Sequence, residues 1–146
     1  MKRAALVLLL VASCKPDSYE GHGVHWKPPR GVSFEAEQPG PPPTAQFSGG
    51  VKVAFHPKEG MLAEDHLEDI AARFIPLGAT IMSKRAGSIE AGKVARYVWK
   101  EGGNRVLMYY LPGKDQVLVI TMTAPENRFS GLETHFDLSL SSLRFQ

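Results

Sequence analysis

Two neighbouring segments decide the fold: Val106-Leu107-Met108-Tyr109-Tyr110-Leu111 and Val117-Leu118-Val119-Ile120. Both are continuous apolar runs, and the turn-forming residues Pro112-Gly113-Lys114-Asp115 separate them, which predicts an antiparallel hairpin. A strand that is apolar on both sides must be covered on both sides, because neither side is stable in contact with water. We therefore expect a sheet with a packing layer on each face.

Further strands and two helices surround this hairpin. Alternation of apolar and polar residues, together with turn signals, predicts strands at Val32–Glu37, Val51–Phe55, Thr80–Arg85, Lys93–Lys100, Arg105–Leu111 and Gln116–Thr123. The first two are expected to pair across a long proline-rich loop, residues 38–50. Helical spacing predicts one helix over Leu62–Phe74 and another after Pro125, with Leu143-Arg144-Phe145 as its end or as a short edge strand.

The order of these elements indicates the fold class. Two strands, a helix, four strands and a final helix, with antiparallel neighbours, predict an α+β domain. We expect an antiparallel β-sheet covered by helices on its faces, which is an α/β/α sandwich. The length of 146 residues fits one such domain.

The first fourteen residues have the features of an export signal. Met1-Lys2-Arg3 is basic, and the apolar run Ala4–Ala12 would rise about 13.5 Å as a helix, far short of the roughly 30 Å hydrocarbon core of a membrane. Val11-Ala12-Ser13-Cys14 follows and resembles the lipobox of bacterial lipoproteins. The resemblance implies that residues 1–13 are removed and that Cys14 carries acyl chains such as palmitate. The alternatives are an ordinary signal peptide with a chance cysteine, or a buried N-terminal strand.

Residues 14–31 are interpreted as the lipidated cysteine and a flexible tether, and residues 32–146 as the folded domain. Residues 15–31 contain three prolines and three glycines and have no apolar periodicity, which is typical of an extended spacer. Loss of Lys2 and Arg3 with the signal leaves the mature charges balanced, so nucleic acid is not expected as a partner. By resemblance to enterobacterial lipoproteins, Lys15 after the cysteine favours the outer membrane over the inner.

Several features of residues 32–146 occur together in a known superfamily. They are a strand with an aromatic residue, an amphipathic helix, Glu90-Ala91-Gly92-Lys93-Val94-Ala95 leading into a strand, and a final helix that ends at Ser142-Leu143-Arg144-Phe145. This pattern resembles the PsbP-like and DcrB-like superfamily, although the 38–50 loop and the short chain depart from plant PsbP proteins. The resemblance implies a largely non-enzymatic accessory, chaperone or binding role in the cell envelope.

Two histidines in the tether are candidate metal ligands. His22 and His25, with Asp17 and Glu20 nearby in the sequence, offer the nitrogen and oxygen donors that suit zinc or copper. A flexible segment loses conformational entropy when it assembles such a site, so solvated linker histidines are the alternative. Apart from the covalent lipid, no other cofactor is expected.

Four aromatic residues on neighbouring predicted strands are candidate partner-binding residues: Tyr97, Trp99, Tyr109 and Tyr110. Tyrosine and tryptophan combine apolar area with a polar tip, which favours their use in protein interfaces. Cross-strand packing inside the protein is the alternative. Trp26, beside Pro28-Pro29, either caps the sheet edge or contacts a partner.

The sequence carries no catalytic motif that we recognise. It has no G-x-S-x-G elbow, no Walker loop, no G-x-G-x-x-G after a strand and no H-E-x-x-H, and its single cysteine is assigned to lipid. We therefore expect a non-enzymatic, lipid-anchored accessory, scaffold or binding subunit of a membrane-associated complex, with an envelope protein as partner. A metal- or small-ligand-binding periplasmic lipoprotein is the alternative.

Overall fold

The computed structural model describes residues 18–58 and 67–146. Its strands within these residues are β1 (Tyr19–Gly21), β2 (Val24–Trp26), β3 (Phe34–Gln38), β4 (Thr44–Phe47), β5 (Val51–Pro57), β6 (Thr80–Ile89), β7 (Gly92–Glu101), β8 (Asn104–Pro112), β9 (Gln116–Pro125) and β10 (Arg144–Phe145). Its helices there are α1 (Leu67–Ala72) and α2 (Glu126–Leu140). The predicted signal and lipobox, residues 1–14, and the beginning of the predicted helix Leu62–Phe74 lie outside the described residues.

Seven of the strands form one antiparallel sheet in the order β3-β4-β5-β9-β8-β7-β6. The two apolar segments are β8 and β9, which pair from Asn104↔Pro125 to Pro112↔Val117 in the interior of the sheet. The predicted α+β class and antiparallel sheet are thereby confirmed. Neither helix of the described residues is long and apolar enough to cross a membrane.

The two faces of β8 and β9 belong to two separate buried clusters, because side chains alternate across a strand. The first cluster combines residues of these strands with the apolar face of α2 and includes Leu107, Tyr109, Leu111, Leu118, Ile120, Phe129, Phe136 and Leu140. The second combines the opposite side of the strands with α1 and includes Val106, Met108, Tyr110, Val117, Val119, Leu67, Ile70 and Ala71.

Part of the predicted tether is folded into the domain. β1 and β2 form a hairpin, and β10 pairs with β2 to complete a three-stranded sheet. Tyr19, Val24 and Trp26 belong to the buried cluster on the α2 side, so this face is covered by α2 and a small sheet together, and not by a helix alone. The tether prediction is therefore wrong for residues 19–26. β2 pairs with β10 near the C-terminus, and Tyr19 packs against Phe34 and Phe47, so no local sequence pattern points to these partners.

The stretch 38–50, predicted as one surface loop, contains strand β4. β4 pairs with both β3 and β5. The prediction that β3 and β5 pair directly with each other is therefore wrong. Ala45 and Phe47 of β4 are buried, whereas Thr44 and Gln46 are half-buried. The alternation covers only four residues and follows three consecutive prolines, which explains why the pattern indicated a loop.

A charged cluster joins α2 to the sheet. Arg96 of β7 is buried and donates from Nε to Asp137 Oδ1 (3.0 Å) and from Nη2 to Asp137 Oδ2 (3.1 Å). It also donates to Glu133, and the Tyr109 hydroxyl donates to Asp137. Burial by itself lowers the pKa of Arg96, but the hydrogen bonds to Asp137 and Glu133 outweigh this effect, and the pKa is raised. The two-pronged contact fixes the position of α2 over β7 and β8.

Replacement of Trp26 tests whether the N-terminal hairpin is part of the domain. Trp26 is 1% exposed, and its indole N–H donates to the Ser139 carbonyl in α2 (3.2 Å). We expect Trp26→Ala to lower the free energy of unfolding by about 3–5 kcal/mol, because it leaves a cavity under α2. Leu138→Ala, at a position that is 67% exposed, should change it by less than about 0.5 kcal/mol. Urea denaturation measures the free energy of unfolding of both variants. Equally small changes for Trp26→Ala and Leu138→Ala would show that residues 19–26 are a tether and not part of the domain.

A second stability experiment addresses the charged cluster. Asp137→Ala should lower the free energy of unfolding by about 3 kcal/mol, because it leaves the buried Arg96 without its main partner. The double variant Arg96→Met/Asp137→Ala should be more stable than this single variant, because it removes the buried charge as well. Asp115→Ala, on an exposed turn, is the control. If the double variant is no more stable than Asp137→Ala, an unpaired Arg96 is not the cause of the loss.

Candidate functional site

A groove with a volume of about 1060 Å³ lies beside the N-terminal hairpin. It is lined by Ser18 to Glu20 at the beginning of the described chain, by residues 27–33, by Phe34 and Glu37 of β3, and by Phe47 of β4. We call it the N-terminal groove. It exists because β1 and β2 fold over the short strands β3 and β4 instead of extending away from the domain.

Three aromatic rings pack together in the apolar lining of the N-terminal groove. The ring centroids of Tyr19 and Phe34 are 5.4 Å apart, those of Tyr19 and Phe47 are 5.3 Å apart, and those of Phe34 and Phe47 are 5.8 Å apart. The tilted and edge-on arrangements are favourable for aromatic rings. Tyr19 and Phe47 are buried, whereas Phe34 is 43% exposed. Phe34 therefore offers most of the accessible aromatic surface for a ligand.

A chain of hydrogen bonds connects the hairpin to β3 at this groove. The Tyr19 hydroxyl donates to Glu37 Oε1 (2.7 Å), and Glu37 Oε2 lies 2.8 Å from His22 Nε2. The hydrogen bonds from His22 and from Tyr19 lower the pKa of Glu37, so it is a carboxylate at neutral pH. Burial and the neighbouring carboxylate raise the pKa of Tyr19, which keeps its hydroxyl protonated. These hydrogen bonds connect the N-terminal hairpin to β3.

The charged residues of the groove lie on different segments. Glu20 and Glu37 come from β1 and β3, and each is already in contact with a histidine. Lys27 and Arg30 are exposed and come from the segment that follows β2. An aromatic surface with positive and negative charges at its borders suits a protein segment that has both apolar and charged side chains.

A β-bulge brings Phe34 and Glu37 to the same side of β3. The two residues are three positions apart, so in a regular strand their side chains would point to opposite faces. The register shifts between Phe34 and Ala36, which leaves Glu35 as an extra residue, and Glu37 then pairs with Ala45 on the same face as Phe34↔Phe47. No sequence pattern indicates this bulge, and the predicted site residues do not include Phe34, Glu37, Lys27 or Arg30.

The two predicted metal ligands do not form one donor set. His22 contacts Glu37 (2.8 Å), and His25 contacts Glu20 through its Nδ1 (3.0 Å). Within residues 18–58 and 67–146, no group of three or more histidine, cysteine, aspartate or glutamate residues could hold a metal ion. Asp17, which completed the predicted cluster, lies outside the described residues. The structure thus gives each histidine a separate carboxylate partner.

The four aromatic residues predicted as a partner face are buried. Tyr97, Trp99, Tyr109 and Tyr110 are each 3% exposed or less, so they cannot contact a partner in this structure. They pack across the strands, as the alternative predicted: Tyr109 belongs to the buried cluster with α2 residues, and the other three belong to the cluster with α1 residues. The Tyr97 hydroxyl donates to the Glu68 carbonyl in α1 (2.8 Å). Trp26 is likewise in the core and is not available to a partner.

Comparison with solved structures identifies the fold. The solution structure of cyanobacterial PsbP (CyanoP) from Synechocystis sp. PCC 6803 matches with a TM-score of 0.68 and 12% sequence identity, over 88% of this chain and 91% of that one. This chain has a PsbP-like fold. The crystal structure of PA94, a Pseudomonas aeruginosa protein of unknown function, matches with a TM-score of 0.49 and 14% identity, over 86% and 93% of the two chains. No protein-family model matches the sequence, and the comparison with curated proteins gives no match.

The PsbP-like fold was expected from the sequence and is confirmed by the first of these structures. The resemblance predicted it over residues 32–146, whereas the match covers 88% of the chain. The N-terminal groove combines both parts, because its walls come from residues before and after position 32. Residues that the sequence assigned to a tether are therefore part of the candidate site of this PsbP-like domain.

The hydrogen bonds that Glu37 accepts from the N-terminal hairpin predict a pH dependence of the free energy of unfolding. The pKa of Glu37 is below its ordinary value of 4.5 in the folded protein, so its contribution is fully present above about pH 4.5 and is lost as the pH falls through the lowered pKa. Wild type should exceed Glu37→Gln in stability at pH 7 by at most about 1 kcal/mol, because the side chain is 41% exposed and screened by solvent. The difference should decrease as the pH falls below 4.5 and should disappear only below the lowered pKa of Glu37.

Urea denaturation over a series of pH values, from 7 down to about 2, measures this difference. Glu35→Gln, at an exposed position on the same strand, is the matched control and should give no such change. A Glu37→Gln difference that stays equal across the whole series would show that the carboxylate does not connect the hairpin to β3.

Proposed function

We propose that this protein is a lipid-anchored, non-enzymatic accessory protein of the cell envelope that binds a protein partner in its N-terminal groove. The observation that carries this proposal is the position of Ser18 beside the groove. Ser18 lines the groove and lies only four residues after Cys14, the predicted site of lipid attachment. The anchor and the groove therefore belong to the same end of the domain.

The short distance in sequence limits how far the groove can lie from the membrane. Four residues span at most about 14 Å even when fully extended. A tether of residues 15–31 would have reached about 60 Å, but β1 and β2 fold the later part of that segment into the domain. With lipid on Cys14, the groove would be held near the bilayer surface. A partner that it binds would then be a membrane protein or a protein associated with the same surface.

The PsbP-like fold supports an accessory role over a catalytic one. The chemistry of the groove is also that of a binding site, because its aromatic rings and charged borders suit a protein segment and its Glu37 is engaged in a structural contact. The proposed function requires no cofactor besides the lipid. Several acyl chains on Cys14 would provide firm attachment, whereas a single chain binds a membrane only marginally. We place the protein at the outer membrane, on its periplasmic or outer surface.

Cell fractionation tests the anchor. Wild type should sediment with membranes, whereas Cys14→Ala should be recovered as a folded soluble protein, because it lacks the acylated thiol. Circular dichroism and urea denaturation of the recovered Cys14→Ala protein check that it is folded. If Cys14→Ala still sediments quantitatively with membranes, the lipid anchor is wrong.

Site-specific photocrosslinking in cells tests the groove. A photoreactive amino acid at Phe34, in the groove, should capture one defined envelope protein, and the same amino acid at the exposed Leu138 should not. The Cys14→Ala background should lose this product, because the groove is no longer held at the membrane. Equal capture from both positions, or no product from Phe34, would contradict the proposed role of the groove.

A further inference from the structure

Within residues 18–58 and 67–146, no strand pairs with the outer edge of β6. β6 is the last strand in the order of the described sheet, and all its residues from Thr80 to Ser88 are exposed. Alternate residues of an edge strand direct their N–H and C=O groups away from the sheet, where another strand can bond to them. The opposite edge, β3, is only five residues long and is followed by Pro39, which cannot donate a backbone hydrogen bond.

Two basic side chains lie in the middle of this edge. The segment Thr80–Ile89 contains Lys84 and Arg85 and no acidic residue. Lys84 pairs in register with Tyr97 and Arg85 with Arg96, so the two side chains lie on opposite faces of the sheet. The Arg85 guanidinium is 3.9 Å from Asp137 and is 66% exposed, which makes it a weak pair that a partner can compete with.

Apolar residues and a bulge define the other half of the edge. Ile81 and Met82 are both exposed although they are large and apolar. The register of β6 with β7 shifts between Ile81 and Ser83, and then continues without interruption to Ile89. An added strand can therefore pair regularly with β6 from Ser83 onward. Ile81 and Met82 form a small apolar patch beside this stretch.

We propose that β6 docks an extended segment of a partner protein that carries two adjacent acidic residues and adds to the sheet as an eighth strand. Backbone hydrogen bonds to β6 would provide affinity, as in other cases of β-strand addition. Adjacent acidic side chains point to opposite faces of a strand, so one meets Lys84 and the other meets Arg85. Apolar residues beside them cover Ile81 and Met82. This surface is separate from the N-terminal groove, and the proposal does not depend on it.

The same charges disfavour a second copy of this chain as the occupant. When two copies of β6 pair antiparallel about the centre of the strand, Lys84 lies opposite Arg85. A shift of the register by one residue places either Lys84 or Arg85 opposite its own copy. Like charges on directly opposed residues destabilise a strand pair. An acidic partner converts this repulsion into attraction, and this difference leads us to propose a partner protein and not a homodimer.

Peptide titration of the full chain, labelled with ¹⁵N, tests the proposal. The probe is a short capped peptide of alternating threonine and valine with Glu-Asp at its centre. Saturable changes in amide chemical shifts should be confined to β6 and neighbouring β7. A peptide with Lys-Arg at its centre should bind at least about tenfold more weakly. An acidic peptide that is N-methylated at every residue should not bind, because neither of its edges can donate backbone hydrogen bonds to β6.

Charge-reversed variants provide the matched controls. Lys84→Glu/Arg85→Glu should exchange the preference, so that the Lys-Arg peptide binds more tightly than the Glu-Asp peptide. Lys114→Glu/Arg128→Glu makes the same change in net charge at exposed positions outside β6 and should leave the preference unchanged. Phe34→Ala, in the N-terminal groove, should not affect it either, which separates this result from the test of the proposed function.

Three outcomes would overturn the proposal. The first is the absence of saturable changes in β6 with the acidic peptide. The second is equal binding of the acidic and basic peptides, which would remove the argument from charge. The third is a concentration-dependent dimer in sedimentation velocity whose interface maps to β6, which would assign the edge to a second copy of the chain.

Discussion

The apolar character of β8 and β9 on both faces is the constraint on which the rest of this structure depends. These strands lie in the interior of the seven-stranded sheet, and neither of their faces is stable in water. One face is covered by α2 with the small sheet of β1, β2 and β10, and the other is packed against α1. The remaining strands extend the sheet from this centre on both sides.

Covering the α2 side brings the two ends of the described chain together. β2 pairs with β10, the Trp26 indole bonds to Ser139, and the backbone N–H of Lys27 donates to the Ser142 hydroxyl (2.9 Å). The first part of the described chain is therefore fixed beside the last helix. The N-terminal groove lies beside this junction, because the segment that leaves β2, residues 27–33, lines it together with residues of β1, β3 and β4.

The candidate groove and the open strand lie at opposite edges of the main sheet. The groove contains residues of β3, which is one edge, and β6 is the other. In the proposed function, the lipid on Cys14 holds the β3 edge near the membrane, and β6 is then on the opposite side of the sheet. A protein with this arrangement can contact one partner at the membrane surface and a second one through β6. The width of the sheet separates the two contacts.

The sequence by itself determined the elements with a local pattern: strand β3, strands β5 to β9, helix α2, the antiparallel turns between β7, β8 and β9, and the resemblance to PsbP. Only the tertiary structure decided the rest. β1, β2 and β4 have three or four residues each, too few for a periodic signal, and their stability comes from strands and helices distant in sequence. The pattern placed tyrosine and tryptophan on β7 and β8 but could not show that helices would bury them. Likewise, Phe34 and Glu37 share a side of β3 only because a bulge, which forms against β4, changes the alternation.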